Sequence, residues 1–244
     1  MTERVLTWEG CLNVRDLGGH PTEAGGVTSF GAVVRADSVQ HLTPAGQRAL
    51  VDYGVRTIVD LRRHDERIGD VPLELPVELV HVPLDDRHQQ EIYRVWRRAN
   101  DDEEGVQAAY SLMTETLAPN FARAIEAIAA APPGGVVVHC YAGKDRTGLT
   151  CAMLLRLAGV GIDDIAADYG LSSDNIRPLI EPWAEAAPDE RERALRLRIG
   201  SSPPRVMQAV LTGLEERHGD MRGYLLDAGV SSAALDRARA RLLG

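Results

Sequence analysis

Apolar and β-branched residues fall in short runs along this chain, and between the runs their spacing lengthens to a helical repeat. The runs at 30–35, 55–61, 79–83 and 136–138 have strand length and lead into polar clusters. Thr43-Pro44 supplies an N-cap and a first-turn proline for a helix to about Tyr53, which Gly54 stops. Helical spacing predicts further helices over 89–100, 106–117, 120–131, 149–157, 162–169 and 175–186. The first of these carries Ile92, Val95 and Trp96 on one face and Arg94, Arg97 and Arg98 on the other. Acidic Asp101-Asp102-Glu103-Glu104 separates it from the second, and Pro132-Pro133-Gly134-Gly135 ends the third sharply. Residues 181–198 are charged and alanine-rich, as a solvated helix or a loop. Pro203-Pro204 opens a helix through His218, and 219–244 reads as two short helices.

Each strand is followed by a helical or loop segment, so the expected fold is α/β, with a mainly parallel central sheet flanked by helices. No repeat or low-complexity linker divides 1–244, which reads as a single domain. Ligands bind such sheets outside the carboxyl ends of the strands. That rule gathers Arg35, Arg62, Arg63, Asp85 and Asp86 on the edge where Cys140 lies. Arg62 and Asp85 are candidates for the site; for Arg35 and Arg63 plain surface charge is the preferred reading.

The chemistry concentrates where the run Val136-Val137-Val138 ends in His139-Cys140 and continues as Tyr141-Ala142-Gly143-Lys144-Asp145-Arg146-Thr147-Gly148 before an apolar helix. A loop curling from a strand into a helix N-terminus turns successive N–H groups toward one spot and makes an anion cradle. Tyr141 to Thr147 would line that cradle, with Cys140 beneath the phosphorus and Arg146 forking onto phosphate oxygens. The same amides and helix dipole favour thiolate, and Thr147 could donate its hydroxyl to the sulfur. A buried inert cysteine is the bland alternative. No second Cys or His at ligand spacing suggests zinc. Gly143-Lys144 is superficially similar to a nucleotide loop but lacks its leading glycine.

His-Cys, five residues, Arg, Thr at such a junction resembles the signature of the cysteine-dependent protein tyrosine phosphatases. Asn13-Val14-Arg15-Asp16-Leu17-Gly18-Gly19, and Asp60-Leu61-Arg62 with a nearby Glu, are similar to a bacterial branch that acts on proteins and lipids. Mycobacterial tyrosine phosphatase B typifies that branch. The resemblance covers most of the chain and implies a supporting role for the first string, which taken alone reads as a turn with Asn13 and Asp16 bonding the backbone. It also implies a helical lid in the region 85–118 and a C-terminal helical extension over 203–244.

Phosphate-ester cleavage needs an acid for the leaving oxygen and a base for water. Asp145 is the favoured candidate, with Asp85 ahead of Asp86 behind it, and the resembled branch places the acid on the catalytic loop. No Trp-Pro-Asp tripeptide supplies one elsewhere. Alternatively Asp145 only braces Arg146. Lys144 adds a second cation to the loop, which suits a multiply phosphorylated ligand such as a phosphoinositide, unless it simply faces solvent. Phosphotyrosine, phosphoserine/threonine and inositol lipids thus remain open as substrates, with inorganic phosphate as product and inhibitor. Arg146 and backbone amides supply the positive field, so no metal or organic cofactor is expected.

Composition narrows the partners. The 244 residues are 44% hydrophobic, enough for a real core, and no apolar run is long enough for a transmembrane helix. The formal charge of −9 argues against nucleic acid or an anionic membrane surface as a bulk partner. Met1-Thr2-Glu3-Arg4 leads into no signal-peptide core, so the expected compartment is the cytoplasm, though non-Sec secretion leaves no readable trace. Cys11, Cys140 and Cys151 are too few for a disulfide framework; Cys11 and Cys151 are candidate resolving partners for an oxidised Cys140. Rival readings are a phospholigand-binding module without turnover and a thiol-dependent sulfur- or arsenate-transfer enzyme.

Overall fold

The computed structural model describes residues 4–86, 95 and 103–244. Among them five strands form one sheet: β1 (Arg15–Asp16), β2 (Val33–Ala36), β3 (Val55–Asp60), β4 (Glu78–His81) and β5 (Gly135–His139), in the order β1-β2-β5-β3-β4. The pairs β2–β5, β5–β3 and β3–β4 are parallel, and only β1 runs antiparallel to its neighbour. The fold is therefore the expected α/β sandwich. The strand β1 lies inside the string read as a turn: two residues are too short to show an alternating period.

Alternation of side chains explains how the sheet is covered on both faces. Val136 and Val138 of the central β5 join Val33 and Val59 in the larger core, while Val137 joins Val34, Ala36, Val55 and Ile58 in the smaller one. The helices are α1 (Pro44–Asp52), α2 (Glu103–Thr116), α3 (Ala118–Ala130), α4 (Asp145–Leu157), α5 (Ile162–Gly170) and α6 (Ser172–Asn175), then α7 (Arg177–Glu185), α8 (Glu190–Gly200), α9 (Pro204–His218), α10 (Met221–Asp227) and α11 (Ser232–Leu243). Leu50 of α1 and Trp8 cover the smaller face. The larger core draws on α2 to α5 and on α9 to α11. The C-terminal helices are thus part of the main core: α9 packs on α2 and α5, and α11 on α3.

The register carries the sheet's ends to one edge. Ala36, His139, Asp60 and His81 are aligned neighbours across β2, β5, β3 and β4. Asp37, Cys140, Leu61 and Val82 therefore leave the sheet side by side. The helix expected over 89–100 lies outside the described residues apart from residue 95; of the lid region expected over 85–118, residues 85–86, 95 and 103–118 are described, and they include α2. No helix among the described residues is long and apolar enough to cross a membrane.

Candidate active site

Cys140 follows β5 directly, is buried at 2% exposure, and begins a loop that ends at the first turn of α4. The shape of this loop is set from behind. The Tyr141 carbonyl accepts from the Ser38 N–H (2.9 Å), the Ala142 carbonyl from Asn13 Nδ2 (3.0 Å) and the Gly143 carbonyl from the Arg35 guanidinium (2.9 Å). In a trans peptide the N–H points opposite to the C=O. Pinning three successive carbonyls outward therefore turns the N–H groups of Ala142, Gly143 and Lys144 the other way. Gly143 has φ +66°, and a Cβ there would lie 2.5 Å from the Ala36 carbonyl oxygen, so the turn needs glycine.

The string 13–19 and Arg35 form that brace. Asp168 of α5 receives Arg15 Nε at 2.9 Å on one carboxylate oxygen and Arg35 at 2.7 Å on the other. Arg15 also reaches the Asn13 amide oxygen (2.5 Å), and both arginines approach the Ser172 hydroxyl. Burial works against the Asp168 charge, but Arg15 and Arg35 overcome it and hold its carboxyl well below the usual range. Arg35, read as surface charge, is 1% exposed. That reading fails because Asp168, 133 positions away, neutralises it. Asp16 bonds backbone as expected, accepting from the Gly18 and Gly31 N–H groups, and it also accepts from the Tyr53 hydroxyl.

On the front of the loop, Arg146 is forked by Glu66 at 2.5 and 2.8 Å and also bonds Asp85 at 3.0 Å. Burial opposes its charge, but Glu66, with the neighbouring Cys140 and Asp85, holds the guanidinium well above its ordinary value. Glu66 uses one hydrogen on each terminal nitrogen and Asp85 the other on Nη1, so the Nε/Nη2 edge is the one these carboxylates leave for an oxyanion. Glu66 sits in the turn Asp65–Arg67 and is the Glu that follows the Asp-Leu-Arg string; its pairing with Arg146 was not expected from sequence.

Other expected site residues are placed as follows. Arg62 is not brought to the cradle; it is tied to Asp60 (2.8 Å) and Asp70 (2.5 Å). Arg63 is half-buried among Asp65, Glu66 and Asp85. The Lys144 ammonium, 3% exposed and so not solvent-facing, bonds the carbonyls of Ile199 (2.5 Å) and Ser201 (3.0 Å) and lies 3.1 Å from Asp145. Asp145 is 26% exposed and accepts a 2.5 Å bond from the Tyr110 hydroxyl. The Thr147 hydroxyl is buried without a partner among the described residues, and the expected bond to the Cys140 sulfur is not formed. Cys151 is in the core with its thiol pushed up to about 12 by burial, and burial also pushes the Cys11 thiol up. Neither environment favours a resolving thiolate.

The loop faces a cavity of about 420 Å³ whose far wall is apolar, built from Ile176, Leu179, Ile180 and Trp183 with Ile199 of α8. This wall was missed, yet positions 176, 179, 180 and 183 are a helical stripe.

Behind the cysteine, the fully buried His139 places Nδ1 3.1 Å from the Cys140 carbonyl. Burial drives its pKa down to about 4 against the raising effect of Asp60. His20 is likewise lowered to about 4, chiefly by burial. Between that value and the ordinary 6.5 the unfolded chain binds more protons, so stability falls as pH is lowered through this window. The buried Asp16 and Asp37 carboxyls, raised by burial, oppose this only in the acidic part of the range. Each histidine should cost about 1–2 kcal/mol between pH 6.5 and 5. Urea midpoints at pH 7 and pH 5 check this, and a midpoint that stays level or rises on acidification would contradict it.

A buried cysteine that opens a strand-to-helix loop at the carboxyl edge of a parallel sheet is the arrangement expected of a cysteine-based phosphatase. The chain matches the model of the tyrosine phosphatase family over residues 6–244 and belongs to that family; it is a protein tyrosine phosphatase. Triple specificity protein phosphatase PtpB of Mycobacterium tuberculosis is 28% identical over 96% of this chain and 98% of its own length. A tyrosine-protein phosphatase of Nostoc commune is 29% identical over 86% of this chain and 74% of its own. Among solved structures, TpbA of P. aeruginosa overlaps 69% of this chain and 86% of its own at 18% identity, with a TM-score of 0.31.

Proposed function

We propose that this phosphatase works through a phosphocysteine intermediate on Cys140. The sulfur lone pair attacks phosphorus, the bond to the ester oxygen breaks, and Asp145 gives its proton to the departing oxygen. Water then attacks the phosphocysteine, Asp145 takes its proton back, and the sulfur leaves as thiolate. The cradle amides and the open edge of Arg146 stabilise the charge gathering on the equatorial oxygens. The observation that carries this reading is the outward pinning of the three loop carbonyls above a buried cysteine. Asp85 is the weaker candidate for the acid, because it is shared between the Arg146 and Arg63 guanidinium groups and does not line the cavity, whereas Asp145 does.

The substrate proposed first is phosphotyrosine in protein. The apolar wall opposite the loop suits an aryl ring, and phosphoserine and phosphothreonine fit the same cradle with less contact. The case for phosphoinositides rested on Lys144, whose ammonium lies against the Ile199 and Ser201 carbonyls. PtpB carries triple specificity in its name, so inositol lipids belong in the test panel.

The test is an acid quench of enzyme mixed with phosphotyrosine peptide in EDTA. Phosphate attached to Cys140 in the quenched protein, with turnover unaffected by the chelator, is expected. Turnover without a phosphoenzyme, or turnover that needs a metal ion, would overturn the mechanism. Binding without turnover would indicate a phospholigand-binding module, and activity on thiosulfate or arsenate alone a transfer enzyme. Arg146→Lys removes the fork while keeping one charge, and kcat/KM should drop by ~10²–10³-fold. A loss under tenfold would argue against the fork.

A further inference from the structure

Asp145 is held by a buried residue that sequence reading did not single out. Tyr110 of α2 is fully buried, and its hydroxyl donates to Asp145 Oδ1 at 2.5 Å. The same hydroxyl lies 2.8 Å from that of Tyr169 on α5, with the rings edge to face at 6.2 Å. A tyrosine has one O–H proton. With that of Tyr110 given to Asp145, its oxygen accepts from Tyr169, and the chain runs Tyr169 to Tyr110 to Asp145. The Lys144 ammonium approaches the same Oδ1 at 3.1 Å. Two donors on Oδ1 make it the carbonyl-like oxygen and leave the exchangeable proton to Oδ2.

We propose that Tyr110, backed by Tyr169, is a positioning residue for proton transfer by Asp145. It selects the oxygen that carries the proton, fixes the carboxyl's rotation, and favours the carboxylate that forms when the proton leaves. The proposal rests on Asp145 being the acid. Among the described residues, the groups facing Asp145 are Lys144 from the loop, Tyr110 from α2 and Tyr169 from α5, with Arg35 behind Tyr169. Burial and the Asp145 charge both raise Tyr110 well above its ordinary value, so it keeps its proton through the working range.

A merely structural tyrosine would slow every substrate alike, whereas one that acts through the acid matters most where the leaving group needs a proton. Steady-state pH profiles of wild type, Tyr110→Phe, Tyr169→Phe and Asp145→Asn are compared on phenyl phosphate and on 4-nitrophenyl phosphate, whose leaving group departs unaided. Tyr110→Phe should lose ~10-fold more on phenyl phosphate than on the nitrophenyl ester. Its alkaline limb should also lie above that of wild type, because the carboxylate has lost a donor. Tyr169→Phe should shift both in the same direction by less, and it serves as the test if Tyr110→Phe does not fold. Equal losses on both esters with an unmoved limb, while Asp145→Asn still discriminates, would overturn the role of Tyr110 alone. If Asp145→Asn fails to discriminate, the acid is elsewhere and both readings fall.

Discussion

Cys140→Ser is expected to cut turnover of a phosphotyrosine peptide by on the order of 10⁴–10⁶-fold while leaving the fold intact. The two effects separate for physical reasons. Serine is close in size to cysteine and would sit in the same buried space between β5 and α4, so packing changes little. Its hydroxyl does not ionise near neutral pH, so the cradle amides and the dipole of α4 find no anion to favour as nucleophile. The cradle itself is untouched: the bonds from Ser38, Asn13 and Arg35 to the loop carbonyls do not involve the cysteine side chain. Phosphopeptide affinity should therefore stay within about tenfold of wild type, since the same groups meet the phosphate. Phosphate release, thermal unfolding and titration calorimetry together check this. Activity that survives the substitution would sink the cysteine mechanism.

Asp168→Ala should have the largest effect on stability, about 3–5 kcal/mol. Asp168 lies between two guanidinium groups that are both shielded from water, and without it Arg15 and Arg35 repel each other in a medium that solvates neither. Against a typical total of ~5–15 kcal/mol such a loss is severe. The urea midpoint should fall by roughly 1–2 M. Replacing Arg15, Arg35 and Asp168 together with apolar residues should recover part of that stability, because no uncompensated charge is left. It should not recover activity, since Arg35 would no longer hold the Gly143 carbonyl. An Asp168→Ala variant with an unchanged midpoint would refute the account of this cluster.

The features legible in sequence were those coded locally. A β-branched run, a small-residue loop and an apolar helix announce 135–157 without reference to the rest of the chain, and Thr43-Pro44 announces α1. The C-terminal helices were legible for the same reason. What stayed hidden depends on distant partners. Arg35 looks like any charge at a strand end until Asp168 is brought beside it, and Tyr110 looks like any aromatic on a helix until its hydroxyl is seen to meet Asp145. Glu66 and Asp70 settle where Arg146 and Arg62 point, and neither pairing follows from spacing. The apolar wall was different, since its stripe was in plain view. The segment was read only as a helix, because nothing in the periodicity says which apolar face lines a cleft.

The brace behind the loop also has a consequence for when the loop takes its shape during synthesis. Arg15 meets Asp168 across 153 positions, and Asn13 meets Ala142 across 129. A nascent chain that has just emitted Cys140 has the loop cysteine but not yet Asp168, the residue that locks Arg15 and Arg35 in place. Closing such long loops is entropically costly until the contacts at both ends exist. Residues of α9 to α11, made later still, complete the core under α4. The loop around Cys140 is thus without its full brace until Asp168 has been made, and its shape is a late product of folding rather than of the local sequence.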